Sequence, residues 1–372
     1  MKTKNSSVFS LLLLVTITSS LFAQEKNTAN SKTQLITNIQ LIDGTGKPAY
    51  SASVRIQGKK IMELGQLKAG TNEQVIDGKG LVLAPGFIDS HSHHFGDLDD
   101  HPEAIPTNSQ GITTIIIGQD GGSYAMDSLT KMFKEQSMAV NVGTYTGQAS
   151  LREEVMGEND VYREASQVEI DKMKIILQKE LEKGSLGLST GLEYEQAFFS
   201  SKDEVIQLAQ VTATAKARYM SHIRSEDIRF QDAIDEIIEI GRVTKMPVQI
   251  SHIKIALKDD WETSKALITK LEKARAAGIN ITADVYPYTY WNSTLRVLFP
   301  TRDYTNPVSA EFAVNHTFDA SESYLVKYAP VEAYRGKTLA AIAAMRNEKP
   351  SVTLMALIAI ASDFKERTNN FK

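Results

Sequence analysis

Four of the seven histidines follow short apolar segments of the kind that form buried β-strands. His91 and His93 come after Leu81–Ile88, and side chains two residues apart in an extended chain point the same way. His222 and His252 each follow a different apolar segment. Imidazole nitrogens are common zinc ligands, so we predict that these four side chains bind a divalent metal ion together.

The other three histidines, His94, His101 and His316, lack this placement. We interpret them as ordinary surface or hydrogen-bonded residues. A single histidine at a strand end is more often of that kind too. It is the combination of four that favours a metal site.

From Leu81 onward, short apolar segments alternate with amphipathic ones, which is typical of βα repeats around a parallel sheet. Seven strands are predicted, at Leu81–Ile88, Thr113–Ile117, Ala139–Tyr145, Leu186–Leu188, Tyr219–Met220, Val248–Ile250 and Ile281–Val285. Helices between them are predicted at Glu169–Lys183, Lys202–Lys216, Phe230–Thr244 and Glu262–Ala277. This pattern predicts an α/β fold of the (β/α)8 TIM-barrel type, in which functional residues gather at the carboxyl ends of the strands.

The segment before the barrel is predicted to be a small β domain, residues 34–80, forming the N-terminal half of a β-sandwich. Its short strands are separated by glycine-containing turns. They are predicted at Gln34–Ile42, Ser53–Gln57, Lys60–Leu64 and Gln74–Ile76. The barrel is then predicted to occupy residues 81–372.

The first residues resemble a secretory signal. Lys2 and Lys4 precede the mostly apolar segment Phe9–Phe22, which ends at a small residue, Ala23. We predict a signal sequence at 1–23 and a polar tether at 24–33. The alternative, a transmembrane anchor, is disfavoured because the apolar segment is too short to span a bilayer. We therefore expect a periplasmic or secreted protein without a stable membrane anchor.

The composition excludes several classes of protein. The 372 residues contain no cysteine, which excludes disulfides and a lipid-modified cysteine anchor. Hydrophobic residues make up 42% and charged residues 23%, which is ordinary for a globular protein. The formal net charge is -4 and no basic patch is present, so nucleic acid is not an expected partner.

Six sequence motifs occur in an order that resembles one enzyme family. They are Ala84–His93 (APGFIDSHSH), Gly111–Thr114 (GITT), Gly187–Tyr194 (GLSTGLEY), Ser221–Arg224 (SHIR), Gln249–Lys254 (QISHIK) and Ala283–Tyr288 (ADVYPY). From about residue 35 to 300 the chain resembles the D-aminoacylase branch of the amidohydrolase superfamily, the N-acyl-D-amino-acid deacylases. The His-x-His pair alone would indicate only the superfamily, whereas the ordered set is more specific.

The resemblance implies one or two zinc ions bound by the four strand-end histidines. The branch usually has a further ligand, a cysteine in a Gly-Asn-Cys-Gly turn. Here the turn reads Gly-Gln-Asp-Gly at 118–121, so Asp120 takes the place of the cysteine. A carboxylate can bind zinc but is a harder ligand than sulfur. The alternative is that Asp120 only shapes a glycine-rich turn.

The resemblance also implies the substrate, a small N-acyl amino acid or dipeptide, and the residues that bind it. Lys254, Tyr286 and Ser293 resemble the residues that hold the substrate carboxylate, and Arg224 is a possible second cation. Side chains of these types are also common as plain surface groups. The implied activity is zinc-dependent hydrolysis of the amide bond of N-acyl-D-amino acids by metal-activated water. The alternatives are a dipeptidase or cyclic-amide hydrolase of the same superfamily, and an inactive truncated fragment.

The general acid and base of this branch is an aspartate at the end of the eighth strand, and its identity here is open. From about residue 301 the chain resembles a helical insertion of the branch, with helices expected at Val331–Arg346 and Pro350–Arg367. If Ser351–Ser362 were the eighth strand, Asp363 would take the catalytic position, but its composition favours a helix. We therefore expect the eighth strand to be missing and the chain to be truncated. The sequence leaves the oligomeric state open.

Overall fold

The structure, a computed structural model, describes residues 32–94 and 96–369. The chain divides into two compact units, of which the first ends at Pro85 and the second begins at Gly86. The predicted signal sequence, and all but the last two residues of the predicted tether, lie outside the described residues. None of the described helices is long and apolar enough to cross a membrane.

The first unit is a five-stranded sheet. Its strands are β1 (Thr33–Leu41), β2 (Tyr50–Gln57), β3 (Lys60–Gly65), β4 (Gln74–Asp77) and β5 (Val82–Leu83). The order is β3-β2-β1-β4, and β5 also pairs with β1. Strands β1 to β3 are antiparallel, whereas β4 and β5 run parallel to β1. Ile39, Leu41, Ala52 and Val54 form its buried core, and the four predicted strands agree with β1 to β4 to within three residues at each end.

The predicted strand Leu81–Ile88 is wrong as a single element. Its first part, β5, pairs with β1 in the first unit, and its last part begins the second unit. Pro85 has no N–H to donate to a sheet. A Cβ atom at Gly86 would clash with the side chain of Thr113, so this position admits only glycine. The boundary between the units therefore lies after Pro85 and not after Gly80.

The second unit contains a curved wall of parallel strands. They are β6 (Phe87–Asp89), β7 (Ile112–Ile117), β8 (Asn141–Thr144), β9 (Thr146–Gly147), β10 (Gly187–Gly191), β11 (Arg218–His222), β12 (Val248–Ile250) and β13 (Ile281–Ala283). The hydrogen-bonded orders are β6-β7-β8 and β9-β10-β11-β12-β13. Only Tyr145 separates β8 from β9, and the Leu186 N–H donates to the Thr144 carbonyl at 2.8 Å. The two groups thus form one wall, with all carboxyl ends on the same side.

Helices cover this wall. They are α1 (Ile105–Asn108), α2 (Met126–Glu135), α3 (Gln148–Met156), α4 (Gln167–Glu182), α5 (Glu195–Phe198), α6 (Lys202–Thr214), α7 (Phe230–Thr244) and α8 (Ser264–Ala276). The four helices predicted between strands correspond to α4, α6, α7 and α8. Leu177 of α4, Leu208 of α6 and Ile237 of α7 share one buried core with Leu188 of β10. Burial of each side chain of this size contributes about 1.5–3 kcal/mol of transfer free energy. This shared core stabilises the packing of the helices against the strands.

A second core lies in the helical region after β13. Its helices are α9 (Pro307–Phe312), α10 (Leu339–Arg346) and α11 (Pro350–Asn369), and its core includes Phe299, Ile342 and Leu357. The predicted helix Val331–Arg346 is shorter than expected. It begins after Thr338, whose side chain caps α10, because Gly336 has a left-handed φ of 73°.

The alternative of an eighth strand at Ser351–Ser362 is wrong, because this segment lies within α11. Proline at the first helical position and the leucine, methionine and alanine content favour the helix, as the sequence indicated. Asp363 is therefore an exposed helical residue and not the end of a strand. The predicted catalytic role of Asp363 required a position at the end of a strand, and the structure does not place it there.

Within residues 32–94 and 96–369, β6 pairs only with β7 and β13 pairs only with β12. Both edges of the wall carry exposed apolar side chains. The exposed fraction is 62% for Phe87 and 67% for Ile88, both in β6, and 73% for Val285, two residues beyond β13. The described wall therefore has two open edges.

Candidate metal centre

His91 and His93 meet just beyond the end of β6. The Asp89 carboxylate accepts a hydrogen bond from the His91 backbone N–H at 3.1 Å and shapes the turn after the strand. The Nε2 atoms of His91 and His93 lie 3.1 Å apart. The His91 side chain is 10% exposed and that of His93 is 65% exposed, so His93 lies at the solvent-facing side of the site.

The other two predicted histidines join this pair. His222 is the last residue of β11, and His252 lies two residues beyond β12. The Nδ1 atom of His222 and the Nε2 atom of His252 are 2.9 Å apart. The ring centroids of His91 and His252 are separated by 5.3 Å. All four imidazoles therefore form one cluster at the carboxyl end of the strands.

Asp120 lies at the centre of this cluster. It follows β7 in a turn with a left-handed φ of 57°, a conformation that aspartate tolerates better than most residues. Its Oδ2 atom lies 3.4 Å from His93 Nε2, 3.5 Å from His252 Nε2 and 3.7 Å from His91 Nε2. Its Oδ1 atom is buried and has no hydrogen-bond partner among the described residues. Asp120 thus faces the imidazoles, and the turn alone does not account for it.

The donors form two sets that share Asp120. One set is His91, His93 and Asp120, and the other is Asp120, His222 and His252. With zinc bonds of about 2.0–2.1 Å, tetrahedral geometry separates neighbouring ligand atoms by about 3.3 Å. The nitrogen–nitrogen and nitrogen–oxygen distances above range from 2.9 to 3.7 Å around this value. The donor types, their spacing and the unpartnered Oδ1 atom fit one or two zinc ions.

The charges of this cluster also favour a cation. Burial would raise the pKa of Asp120, but hydrogen bonds with His252, His91 and His93 lower it well below its usual value. Burial would lower the pKa of His91, but Asp120 and Asp284 raise it to about 9. The pKa of His252 is raised to about 9 in the same way, by Asp120 and Glu226. The carboxylates therefore hold positive charge at the position between the imidazoles.

Three carboxylates of the site were not predicted. Asp284, just after β13, has its Oδ1 atom 3.1 Å from His91 Nδ1, and it accepts the His252 backbone N–H at 2.6 Å. Glu193 Oε2 lies 2.9 Å from His222 Nε2, and Glu226 Oε1 lies 3.0 Å from His252 Nδ1. Two of them stand inside motifs that the sequence singled out, Asp284 in ADVYPY and Glu193 in GLEY. Their positions inside these motifs were the signal from which the two residues could have been predicted.

The predicted carboxylate-binding residues divide into two groups. Lys254 and Tyr286 lie beside the histidines, with Lys254 Nζ 5.9 Å from the centroid of the Tyr286 ring. Burial and the charge of Glu226 raise the pKa of Tyr286 to about 12, so its phenol stays protonated. Ser293 lies beside Tyr194, whose ring centroid is 4.4 Å from that of His222. The Ser293 hydroxyl is buried and faces the Tyr194 phenol.

Arg224 is placed differently. Its Nε and Nη2 atoms each donate to Glu236 at 2.8 Å, and its Nη1 atom donates to the Ser200 carbonyl at 2.9 Å. It lines a cavity of about 180 Å³ together with Glu193 and Arg302. The guanidinium is thus held through Nε, Nη1 and Nη2 by groups outside the histidine cluster, and the role of Arg224 as a second substrate cation stays a prediction.

The remaining histidines lie outside both donor sets. His94 Nδ1 contacts the Ser92 hydroxyl, His101 pairs with Glu103 at 3.6 Å and His316 pairs with Asp259 at 2.6 Å. These three histidines thus make ordinary polar contacts, as predicted from the sequence. His316 is useful as a control position because it is far in sequence from the four clustered histidines.

Comparisons with known proteins agree with this site. The model of the Amidohydrolase family matches residues 74–321, which is more than half of the chain. Two enzymes of Alcaligenes xylosoxydans xylosoxydans are similar: an N-acyl-D-glutamate deacylase, 33% identical over 67% of this chain, and an N-acyl-D-aspartate deacylase, 34% identical over 71%. The chain spans only 55% and 57% of the length of these two relatives.

A solved structure shows the same fold. It is an N-acyl-D-glutamate deacylase from Bordetella bronchiseptica, complexed with zinc and a phosphonate inhibitor. It matches with a TM-score of 0.77 and 27% identity, over 88% of this chain and 70% of that chain. The predicted barrel-type α/β fold is thereby confirmed. The chain belongs to the amidohydrolase family, in its D-aminoacylase branch.

Proposed function

We propose that this protein is a zinc-dependent deacylase that releases D-amino acids from their N-acyl forms. The observation that carries the proposal is the meeting of four imidazoles and Asp120 at one end of the strand wall. Similarity to deacylases of N-acyl-D-glutamate and N-acyl-D-aspartate supports the choice of substrate class. The zinc in the related Bordetella bronchiseptica structure supports the choice of metal.

The side chains that would hold the metal are His91, His93, His222, His252 and Asp120. When bound, zinc would polarise the amide carbonyl and lower the pKa of water enough to make it a nucleophile near neutral pH. The described chain has no cysteine, so a thiol nucleophile is excluded. The chain's own contribution is to fix these five donors on the rigid ends of strands.

Lys254 is positioned to orient the substrate. Its ammonium pairs with Glu226 at 2.6 Å and lies beside the Tyr286 ring, at the edge of the donor cluster. A substrate carboxylate could accept hydrogen bonds from Lys254 and from the protonated Tyr286 phenol, and the buried Ser293 hydroxyl could donate to the same group. These contacts would place the scissile amide over the imidazoles.

Tyr194 has the chemistry of a hydrogen-bond donor. Burial raises its pKa well above the usual value, and the charges of Asp120 and Glu226 act in the same direction. Its phenol therefore keeps its proton at neutral pH and cannot act as a base. It is available to donate to a substrate oxygen beside His222.

The test is a substrate panel with metal control. Purified protein is treated with a chelator, reloaded with Zn²⁺ and assayed for amine release from N-acetyl-D-glutamate, N-acetyl-D-aspartate and other N-acetyl-D-amino acids. We expect release from D-isomers only, loss after chelation, and loss in His252→Ala but not in the control His316→Ala. Hydrolysis of L-isomers, dipeptides or hydantoins in preference to N-acyl-D-amino acids would overturn the proposal.

We also propose that the protein is exported to the periplasm or the medium. The support is the sequence of residues 1–23, with its basic start and apolar segment. Expression in a bacterium, fractionation and mass spectrometry should yield a mature protein that begins near residue 24. Recovery of the intact N-terminus in the cytoplasm would contradict export.

A further inference from the structure

Two buried glutamates contact the ring nitrogens that point away from the metal position. His222 places Nδ1 against His252 and Nε2 against Glu193, at 2.9 Å each. His252 places Nε2 towards Asp120, at 3.5 Å, and Nδ1 towards both Glu226 and the Lys254 ammonium, at 3.0 Å each. Each of the two histidines is thus held between the metal position on one side and a carboxylate on the other.

These contacts select one tautomer of each ring. An ionised carboxylate can only accept hydrogen bonds, so the ring nitrogen that faces it carries the proton. In a neutral imidazole the other nitrogen then has the free lone pair. Glu193 therefore leaves the lone pair of His222 on Nδ1. For His252, Nδ1 and the Lys254 ammonium, which lie 3.0 Å apart, both face the same Glu226 oxygen. When that oxygen accepts from both, the lone pair of His252 is on Nε2. Both lone pairs face the metal position.

Burial makes these contacts strong. Glu193 and Glu226 are each 6% exposed, and His222 is 3% exposed, so solvent screens the contacts little. The two glutamates are also connected, because Glu193 Oε1 accepts the Glu226 backbone N–H at 3.1 Å. Glu226 has a second partner, Lys254, at 2.6 Å. Of the four clustered histidines, Glu193 contacts only His222 among the described residues, which makes it the simpler position for an experiment.

We propose that Glu193 and Glu226 are positioning residues that fix the tautomers of His222 and His252 and thereby set the metal affinity of the site. The proposal rests on the proposed function only in requiring that the site binds a metal ion. Carboxylates that orient metal-binding histidines typically change metal affinity by about 10–100-fold when they are removed.

A competing interpretation is a third metal position. Glu193, His222 and Glu226 lie close enough to one another to hold an ion themselves. Two observations disfavour it. The Lys254 ammonium already neutralises Glu226, and an ion there would have to displace the proton from His222 Nε2, which the 2.9 Å contact with Glu193 stabilises. The number of ions bound distinguishes the two interpretations.

The test measures Co²⁺ binding to the full chain without substrate, by competition with a chromophoric chelator and by the Co²⁺ absorption spectrum. Glu193→Gln is nearly isosteric, but its amide can donate to Nε2 and select the wrong tautomer. We expect it to lower Co²⁺ affinity about 10–100-fold, with a changed spectrum and unchanged circular dichroism. Glu226→Gln is expected to act in the same direction.

Glu195→Gln is the matched control. It lies two residues away and loses contacts with Arg296 and Tyr304, but it touches no histidine. We expect it to bind Co²⁺ like the unmodified protein. Equal weakening of Co²⁺ binding by Glu193→Gln and Glu195→Gln would overturn the proposal, and so would unchanged binding in both Glu193→Gln and Glu226→Gln. A third bound ion that is lost in Glu193→Gln would also overturn it.

A second measurement does not depend on the folding of any variant. In the metal-loaded protein with ¹⁵N-labelled histidine, we expect His222 to be protonated at Nε2 and metal-bound at Nδ1. Binding through Nε2 would overturn the proposal. Because no substrate is used, normal metal binding without hydrolysis of N-acyl-D-amino acids would contradict the proposed function alone, whereas absence of Co²⁺ binding would contradict both.

Discussion

At the scale of single residues, the donor that distinguishes this site is a carboxylate. The family resemblance leads one to expect a cysteine, and Asp120 occupies its place at the point where the two donor sets meet. An aspartate is a harder ligand than a thiolate, and it has two oxygen atoms that can each contact an ion. The Oδ2 atom of Asp120 faces the imidazoles, and its Oδ1 atom has no hydrogen-bond partner in the part of the chain that the structure describes.

Replacement of Asp120 should therefore remove a ligand of both donor sets. We expect Asp120→Ala to lose zinc affinity by more than the roughly 10–100-fold that follows loss of an orienting residue. Isothermal titration of chelator-treated protein with Zn²⁺ measures this. Asp363→Ala, in the exposed part of α11, should bind zinc like the unmodified protein. An Asp120→Ala variant with unchanged affinity and stoichiometry would show that this residue only shapes its turn.

The histidines of the site could be predicted from sequence because each lies within a few residues of the end of an apolar strand segment. Apart from Asp120, the carboxylates of the site were not predicted, because their partners come from distant parts of the chain. Asp284 and His91 are separated by 193 residues, and Glu193 is separated from His222 by 29. Aspartate and glutamate are frequent on surfaces, so only the folded chain distinguishes these from solvated ones.

At the scale of elements, the turn that contains Asp120 is packed directly against neighbouring strands. A Cβ atom at Gly191, the last residue of β10, would clash with the backbone carbonyl of Asp120. A Cβ atom at Gly147 would clash with the carbonyl of Gly121 in the same way. The absence of side chains at the two strand ends thus determines where the carboxylate lies.

Substitution of Gly191 should disturb the metal site although glycine binds no metal. We expect Gly191→Ala to displace Asp120 and to lower zinc affinity at least tenfold, in the range found for orienting residues, about 10–100-fold. Gly122→Ala is the control, because a Cβ atom there meets nothing within 4 Å. Zinc titration with circular dichroism as a folding check decides the matter. Equal affinity in the two variants would contradict the packing argument.

Helix α4 provides a pH prediction. Ser166 and Glu169 form a capping box at its start, and Glu169 also pairs with Arg163. The Arg163 guanidinium and the Ser166 backbone N–H lower the pKa of Glu169 from 4.5 to about 2. The folded-state pKa is below the unfolded one, so the stabilisation is present above pH 4.5 and is lost as the pH falls towards 2.

We therefore expect Glu169→Gln to be less stable than the unmodified protein at pH 7, by the roughly 0.2–1 kcal/mol typical of exposed ion pairs. The difference in the free energy of unfolding should shrink between pH 4.5 and pH 2. Urea unfolding at several pH values measures it. Glu272→Gln, at an exposed position of α8, is the control. If the difference in the free energy of unfolding between Glu169→Gln and the unmodified protein stayed constant with pH, the lowered pKa of Glu169 would be contradicted.

Strand and helix positions were largely predictable because apolar spacing is a local property. The exceptions are informative. The segment Leu81–Ile88 is continuous in its apolar character, yet Pro85 and Gly86 divide it between two sheets. The segment Val331–Arg346 has helical spacing, yet Gly336 delays the helix. Apolar spacing shows that a segment is buried, but not which strand it pairs with.

At the scale of the whole molecule, the two open edges of the strand wall should affect solution behaviour. Unpaired N–H and C=O groups next to exposed apolar side chains favour pairing with another chain. We expect concentration-dependent self-association of the 372-residue chain, measured by sedimentation velocity. Thr282→Lys, on the edge strand β13, should reduce it because charged side chains oppose edge-to-edge pairing.

Thr269→Lys adds the same charge at an exposed position of α8 and is the control. If Thr282→Lys and Thr269→Lys reduce self-association equally, the added net charge is responsible and not its location on the edge strand β13. A chain that stays monomeric at all concentrations would contradict the edge argument.

The barrel type and the shared location of the four histidines followed from the order of segments, because parallel strands bring their carboxyl ends to one side. The order of segments does not predict which edges of the sheet stay open, because this depends on hydrogen bonds between strands distant in sequence. An eighth strand at Ser351–Ser362 could have covered an edge, but this segment lies in helix α11.

The most direct test of the central claim is anomalous diffraction at the zinc absorption edge from crystals of the zinc-loaded protein. We predict zinc in bonding contact with Asp120 and with Nε2 of His91, His93 or His252. Zinc found only at other positions, with these side chains too far apart to share an ion, would contradict the account.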